Sequence, residues 1–246
     1  MLPGRPSHVR LVSPKAILGS LYHADFDAAD AGISVSVGKV VSIPNRGADS
    51  GAMAQATAGL RPVYSATSFN GGPGMTFDGV SQAMLATFAA AIPIGSRPYM
   101  WLAFRQLDTT AADQAAAGFA PTSQYFAFYS SMPGTAQFGG IISSGGGYSK
   151  LGVRATETSN CHSGEIGYTT GGTAAITVDG VSVDVASGSS GTIAAAVTGV
   201  GAGYFPGFGQ YGHCVLRRII VANNEPSIAQ RVAMRAYFRA QSYGLS

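Results

Sequence analysis

Apolar residues along this chain recur at every second position far more often than at every third or fourth. That alternation turns one side of an extended segment toward a core and the other toward water, so it predicts half-buried β-strands. In GISVSVGKVVSI (32–43), Ile33, Val35 and Val37 alternate with Ser34 and Ser36, the chain turns at Gly38-Lys39, and the alternation resumes, which predicts a hairpin. Further short runs fall at 99–104, 124–131, 138–144, 149–156, 164–170, 175–183 and 214–223, with turn residues between them at spacings that suit a sandwich. Asp-Gly stands between apolar runs twice, as Asp78-Gly79 and Asp179-Gly180. Both pairs are expected to be hairpin reversals, because Asp-Gly supplies the positive φ angles of a type I′ turn. The segment 187–203 is rich in Gly, Ser and Ala, and reads as a long loop followed by a small-residue strand, since Ile193 and Val197 recur in it.

Helical signals gather at the C-terminus. Ser227 and Gln230 fit a capping box and Gly244 before Leu245 fits a C-terminal cap, which predicts a helix over about 227–243. On a helical projection Ala229, Val232, Ala233, Ala236, Tyr237 and Ala240 share one face, expected to be the packed one. Arg231, Arg235 and Arg239 form a stripe on the other, either a solvated face or a dock for an acidic partner. Residues 1–16 have no hydrophobic period and read as an extended arm, with residues 17–246 as one domain. Arg5 and Arg10 of that arm are expected to meet a neighbouring subunit.

Composition narrows the picture. With 34 glycines, 11% charged and 46% hydrophobic residues in 246, the chain is expected to fold, and a sandwich of this length is routinely one domain. A net charge of +3 without a Lys/Arg cluster argues against nucleic acid as a partner. Pro14 and Lys15 interrupt the only N-terminal apolar run, and MLATFAAAIPIG is too short to span a bilayer, so neither a signal peptide nor membrane insertion is expected. Cys161 and Cys214 have no metal-ligand spacing and are expected to be buried thiols.

Candidate chemistry is sparse. Asp25, Asp27 and Asp30 could gather around a cation, but they lack the glycine and downstream Glu of an EF-hand loop, and a solvated turn after a strand is the preferred reading. His23, His162 and His213 have no nucleophile at a recognisable spacing. GGPG and SSGGGYS lack the strand-loop-helix setting of a phosphate cradle. Tyr204, Phe205, Phe208 and Tyr211 are spread through a Gly-rich segment, where rings can either stack on sugar faces or fill a core. Trp101, inside an alternating run, is expected in the core.

LYHADFDAADAG, GKVVSIPNRG, LRPVYSATSFNGGPGMTFDG, AAITVDGVSV, YFPGFGQYGHCVLRRIIVANN and YFRAQSYGL follow one another in an order that resembles the laminin-G-like, concanavalin A-like domains of bacteriophage and bacterial surface proteins, over about residues 17–246. The resemblance implies an all-β jelly-roll sandwich of two antiparallel sheets with a short C-terminal helix. That fold serves glycan binding, hydrolysis and structural roles alike. The paired carboxylates of related glucanases have no counterpart among Glu157, Glu165 and Glu225. YFPGFGQYG resembles one alginate-lyase strand but has Pro206 at the lysine position, and the other lyase motifs are missing. No catalytic residue, metal or cofactor is therefore expected. The leading expectation is a non-enzymatic bacteriophage structural protein, a capsid decoration, head-fibre or tail-associated component of the virion assembled in the host cytoplasm. It would form a homo-oligomer, attach to capsid or tail proteins through its arm, and have a capacity for host surface glycans at Tyr204, Phe208 and Tyr211. The alternative is a bacterial carbohydrate-binding module or a polysaccharide lyase-like protein.

Overall fold

The structure, a computed structural model, describes residues 12–109, 114–120, 126–132, 136–144, 147–170, 173–186, 192–193, 195–206 and 209–241. After a short helix α1 (Pro14–Leu18) come β1 (Tyr22–Asp27), β2 (Ser34–Ser36), β3 (Lys39–Ile43), β4 (Met53–Ala54), β5 (Val63–Phe69), β6 (Gly72–Thr76), β7 (Met84–Ile92) and β8 (Tyr99–Gln106). The middle of the chain supplies β9 (Gln114–Ala120), β10 (Phe126–Ser131), β11 (Gln137–Ser144), β12 (Gly147–Ala155), β13 (His162–Thr169), β14 (Thr173–Val178) and β15 (Val181–Ala186). It closes with β16 (Val197–Ala202), β17 (Tyr204–Phe205), β18 (Gln210–Tyr211), β19 (Cys214–Ala222) and a helix α2 (Ile228–Ala240). The protein is all-β apart from its helical ends, as expected.

Every strand pair is antiparallel. One run follows the order β1, β19, β8, β13, β14, β15. The other follows β2, β3, β4, β7, β16, β9, β10, β11, β12. The β5–β6 hairpin bridges them, since β5 touches β3 at Lys39↔Val63 and β6 pairs with β19, so the ladder nearly closes on itself. Inward-pointing rings from both runs meet in one core. Phe104 of β8 lies 5.1 Å from Phe128 and 5.2 Å from Phe138, and Phe126 lies 5.5 Å from Tyr168. Burying each such side chain contributes about 1.5–3 kcal/mol.

Strands β8 and β19 are buried on both faces. Met100, Leu102 and Phe104 point into the main core, while Tyr99, Trp101 and Ala103 point outward into a second cluster with Met234 and Phe238 of α2. Trp101 is therefore core, but on the helix side of the sheet. The helix keeps only part of the face expected, since Tyr237 packs against this second cluster but the fully buried residues are others. Met234 and Phe238 are buried, whereas Val232 is 56% exposed and Ala229, Ala236 and Ala240 face solvent. Two large side chains cover more apolar area than a row of alanines, which decides the rotation. Among the described residues Pro14 and Leu18 of α1 are buried: Ser13 caps the helix, and Gln230 Nε2 donates to the Ile17 carbonyl at 3.0 Å.

Asp179-Gly180 is the expected two-residue reversal of β14–β15, with φ of 51° and 83°. The β2–β3 hairpin turns at Val37-Gly38 (φ 51° and 72°), one residue earlier than expected. Asp78-Gly79 is not a hairpin. Gly79 has φ 73°, but β6 and β7 do not pair, and the Asp78 carboxylate instead accepts from the Val80, Ser81 and Gln82 amides at 2.9 Å each. Burial alone would raise this carboxyl, but those three N–H donors hold it below the usual carboxylate range. A carboxylate that clasps the next three amides builds a loop, and the nearby hairpin is turned by Asn70-Gly71 (φ 47° and 77°). Cys161 and Cys214 are both free and buried, and burial pushes the Cys214 thiol up to about 12.

Replacing Gly180 by Val is expected to cost more than about 1 kcal/mol, because a β-branched residue avoids positive φ. A new Cβ there would also meet Arg239 NH2 at 2.7 Å. Gly79→Val should behave alike, its Cβ falling 2.8 Å from that of His213. Denaturant midpoints measure both, and unchanged midpoints in the two variants would refute the turn assignments.

Candidate functional site

Tyr204 and Tyr211 come together although six residues separate them. β17 and β18 form a separate two-stranded ribbon in which Tyr204 pairs with Tyr211 and Phe205 with Gln210. Alternation along so short a ribbon sends Phe205 inward, fully buried among Ala115, Ala127, Tyr129, Met132 and Ile141. The two tyrosines then share the outer side, half-buried, with centroids 4.8 Å apart and planes tilted by 31°. A side chain at Gly118 would collide with Phe205, so the floor of the ribbon requires glycine there. Tyr129 Oη donates to Gln210 Oε1, and Gly203 N donates to the Ala116 carbonyl at 2.7 Å, which fixes the ribbon to β9 and β10. Burial, then the neighbouring Tyr211, raises the Tyr204 hydroxyl above its ordinary pKa, so it remains a neutral donor and acceptor. This arrangement offers a rigid apolar face edged by hydroxyls. Phe208, the third expected ring, lies outside the described residues, as do Arg5 and Arg10. Phe205 and Gln210 are the supports that the sequence reading passed over as site residues; the strict in-out alternation of Tyr204 and Phe205 was their signal.

The arginine stripe of α2 is mostly engaged within the chain. Arg235 Nε donates to Glu165 Oε2 at 2.7 Å and its NH2 reaches Thr177 Oγ1 at 3.3 Å. Glu165 is 2% exposed, so this pair neutralises a carboxylate beneath the helix. Arg231 NH1 donates to Tyr99 Oη at 3.0 Å. Only Arg239 keeps the exposed, carboxylate-free position expected of all three, among the described residues. The reason is the rotation of α2: the face carrying Met234 and Phe238 carries Arg231 and Arg235 at its margin.

Asp25 and Asp27 are also not in a solvated turn. Both lie in β1, 1% and 5% exposed, and arginines occupy their oxygens. Arg218 binds Asp25 through both ends of its fork, at 2.8 and 2.5 Å, and Tyr22 Oη donates to the same carboxylate. Arg46 NH2 donates to Asp27 at 2.8 Å, Arg46 Nε lies 3.5 Å from Asp30, and Arg217 Nε lies 3.0 Å from Asp27. Among the described residues no His, Cys, Asp and Glu group is arranged to hold a metal. The clue in sequence was the pair Arg217-Arg218 inside the apolar run 214–223, because an arginine there must find a carboxylate.

No protein-family model matches the sequence, and no curated protein matches it. Solved structures do share its fold. The botulinum neurotoxin serotype D ligand binding domain, solved in complex with N-acetylneuraminic acid, superposes with a TM-score of 0.63 at 7% identity, covering 93% of this chain and 53% of that one. A GH54 α-L-arabinofuranosidase gives 0.64 at 10% identity over 94% and 61% of the two chains. Trypanosoma rangeli sialidase gives 0.56 at 11% over 91% and 33%. The chain thus spans between a third and about three fifths of these structures. At such identities the likeness establishes a shared all-β fold and nothing about chemistry.

Asp25→Asn is expected to destabilise the protein by about 3–5 kcal/mol, since it leaves buried Arg218 without its main counter-charge. Urea denaturation measures this. A loss below about 1 kcal/mol would show that the cluster does not hold the strands together.

Proposed function

We propose that this chain is a non-enzymatic glycan-recognition domain and that the Tyr204–Tyr211 ribbon is its contact surface. We read the two strand runs as the two sheets of a concanavalin A-like jelly roll. The observation that carries the reading is the ring pair itself: two half-exposed tyrosines held side by side on a buried phenylalanine. The flat C–H face of a sugar packs on such rings while its hydroxyls reach the phenols. Support of a coarser kind comes from fold neighbours that include a sialic acid complex. Enzymes occur among the neighbours too, so the non-enzymatic part rests on this chain's own carboxylates. Glu165 is tied to Arg235 under α2, and Glu225 accepts from Thr170 N at 2.8 Å and Thr170 Oγ1 at 2.6 Å.

Tyr204→Ala and Tyr211→Ala should each weaken glycan binding about fivefold to tenfold, the worth of one ring contact, without lowering the melting temperature. A glycan array followed by calorimetry on the best ligand provides the readout, and the same ligands should release no reducing ends. Binding that survives both substitutions would overturn the reading.

The finer setting, a virion surface to which the arm attaches a homo-oligomer, rests on the motif resemblance and on the composition of residues 1–13. Deleting residues 1–12, which keeps the Ser13 cap of α1, should preserve the melting temperature and abolish oligomerisation or particle attachment in sedimentation assays. A truncated chain that assembles normally would favour a free carbohydrate-binding module.

A further inference from the structure

We infer that a second site, at the tip of the β2–β3 hairpin, binds the anionic groups of an acidic polysaccharide. It lies apart from the tyrosine ribbon and does not rest on that reading. A groove of about 320 Å³ runs between the hairpin tip and the turn at 58–61, lined by Ser36, Val37, Lys39, Ala58, Gly59 and Arg61. That volume suits roughly one sugar unit, at the small end of ligand sites. The lining holds two cations and no carboxylate. Lys39 and Arg61 form no ion pair among the described residues, unlike Arg46, Arg217, Arg218 and Arg235. Arg61 is nevertheless fixed: Nε donates to the Gln55 carbonyl at 2.8 Å and NH2 to that of Ala56 at 2.6 Å, which leaves NH1 for a ligand. The hairpin wall is equally fixed, with Tyr64 N donating to the Gly38 carbonyl at 2.8 Å and Val40 N to that of Pro62 at 3.0 Å.

Val37 is the independent sign of use. It sits at φ 51° and is 98% exposed. A β-branched residue in the left-handed region is strained, and this one gains no burial within the chain to offset the strain. An apolar group placed beside two unpaired cations fits a ligand with a C–H face and a negative charge, which describes a uronate or a sulfated sugar. A nucleic acid would require a longer basic stripe, and the other inward-facing arginines are already neutralised.

The test is equilibrium binding of polygalacturonate, dextran sulfate and neutral dextran to the full chain. The two acidic polymers should bind, more weakly as salt rises, and their ratio tells carboxylate from sulfate preference. Lys39→Gln should raise their Kd about tenfold, the worth of one charge-assisted hydrogen bond, with no change in melting temperature. Val37→Asn should raise the melting temperature, because Asn tolerates this backbone, and should weaken binding. Tyr211→Ala should leave acidic-polymer binding intact. The site is overturned if neither acidic polymer binds, if Lys39→Gln binds as wild type, or if single-stranded DNA competes as strongly. Should Tyr211→Ala abolish binding that Lys39→Gln spares, the groove fails and the ribbon stands.

Discussion

The paired charge of Asp25 and Arg218 constrains the rest of the molecule. Two ions this deeply buried are tolerated only with close geometry and with every remaining oxygen and proton satisfied. That requirement sets the first strand directly beside the last, with Asp25 opposite Ile220 in the β1–β19 ladder. It also draws in α2, because Arg218 NH1 donates to Tyr237 Oη and the guanidinium lies 5.2 Å from the Tyr237 ring. Arg46, from the turn after β3, completes the cluster. Four distant parts of the chain are thus joined by one set of charges. A register shift in β19 between Leu216 and Arg218 accommodates the arginines without ending the strand, so Leu216 and Ile219 both reach the core.

How far the sequence announces this architecture depends on the kind of signal. Strands with one or two buried faces announced themselves: the runs at 99–104, 124–131 and 214–223 are rich in large apolar residues, and they contain β8, β10 and β19. Asp179-Gly180 was equally plain, because both flanks alternate and the pair can only turn. Asp78-Gly79 misled because the same two residues suit a side-chain clasp, and which device forms depends on whether the flanking strands find each other. The ring pair was visible as two aromatics, but their being neighbours depends on a ribbon only two residues wide on each side, too short to carry a period.

The helix shows a different limit. Its start follows from local chemistry, since Ser227 and Gln230 exchange capping bonds, whereas it ends at Ala240 with Gln241 as its cap, and the expected cap at Gly244 lies outside the described residues. Its orientation does not follow from local chemistry, because a face with alanines and a face with Met234, Phe238 and two arginines compete, and only the sheet beneath reveals which wins. Glu165 and Thr177 in that sheet present the counter-charge and hydroxyl that make the arginine-bearing face compatible with packing. Amphipathic projection counts arginine as outward, yet a long side chain with an aliphatic stem can line a buried margin when a carboxylate waits there.

The same pairing governs where charge is left over. A net charge of +3 looks dispersed in sequence, where fifteen cations and twelve carboxylates are scattered along the chain. In the fold, Asp25, Asp27 and Asp30 face Arg46, Arg217 and Arg218, and Glu165 faces Arg235, so these charges cancel locally. The tyrosine ribbon, with Phe205, Gln210 and Pro206 around it, carries neither sign. On the proposed reading, the ribbon discriminates by shape and hydroxyl pattern alone. The uncancelled field of Lys39 and Arg61 lies at another surface, where it acts over about a Debye length and so reaches anions before contact. Carboxylates are taken up in holding the strands and helix together, and among the cations left without one, Lys39 of the β2–β3 hairpin and Arg61 of the neighbouring turn share a groove.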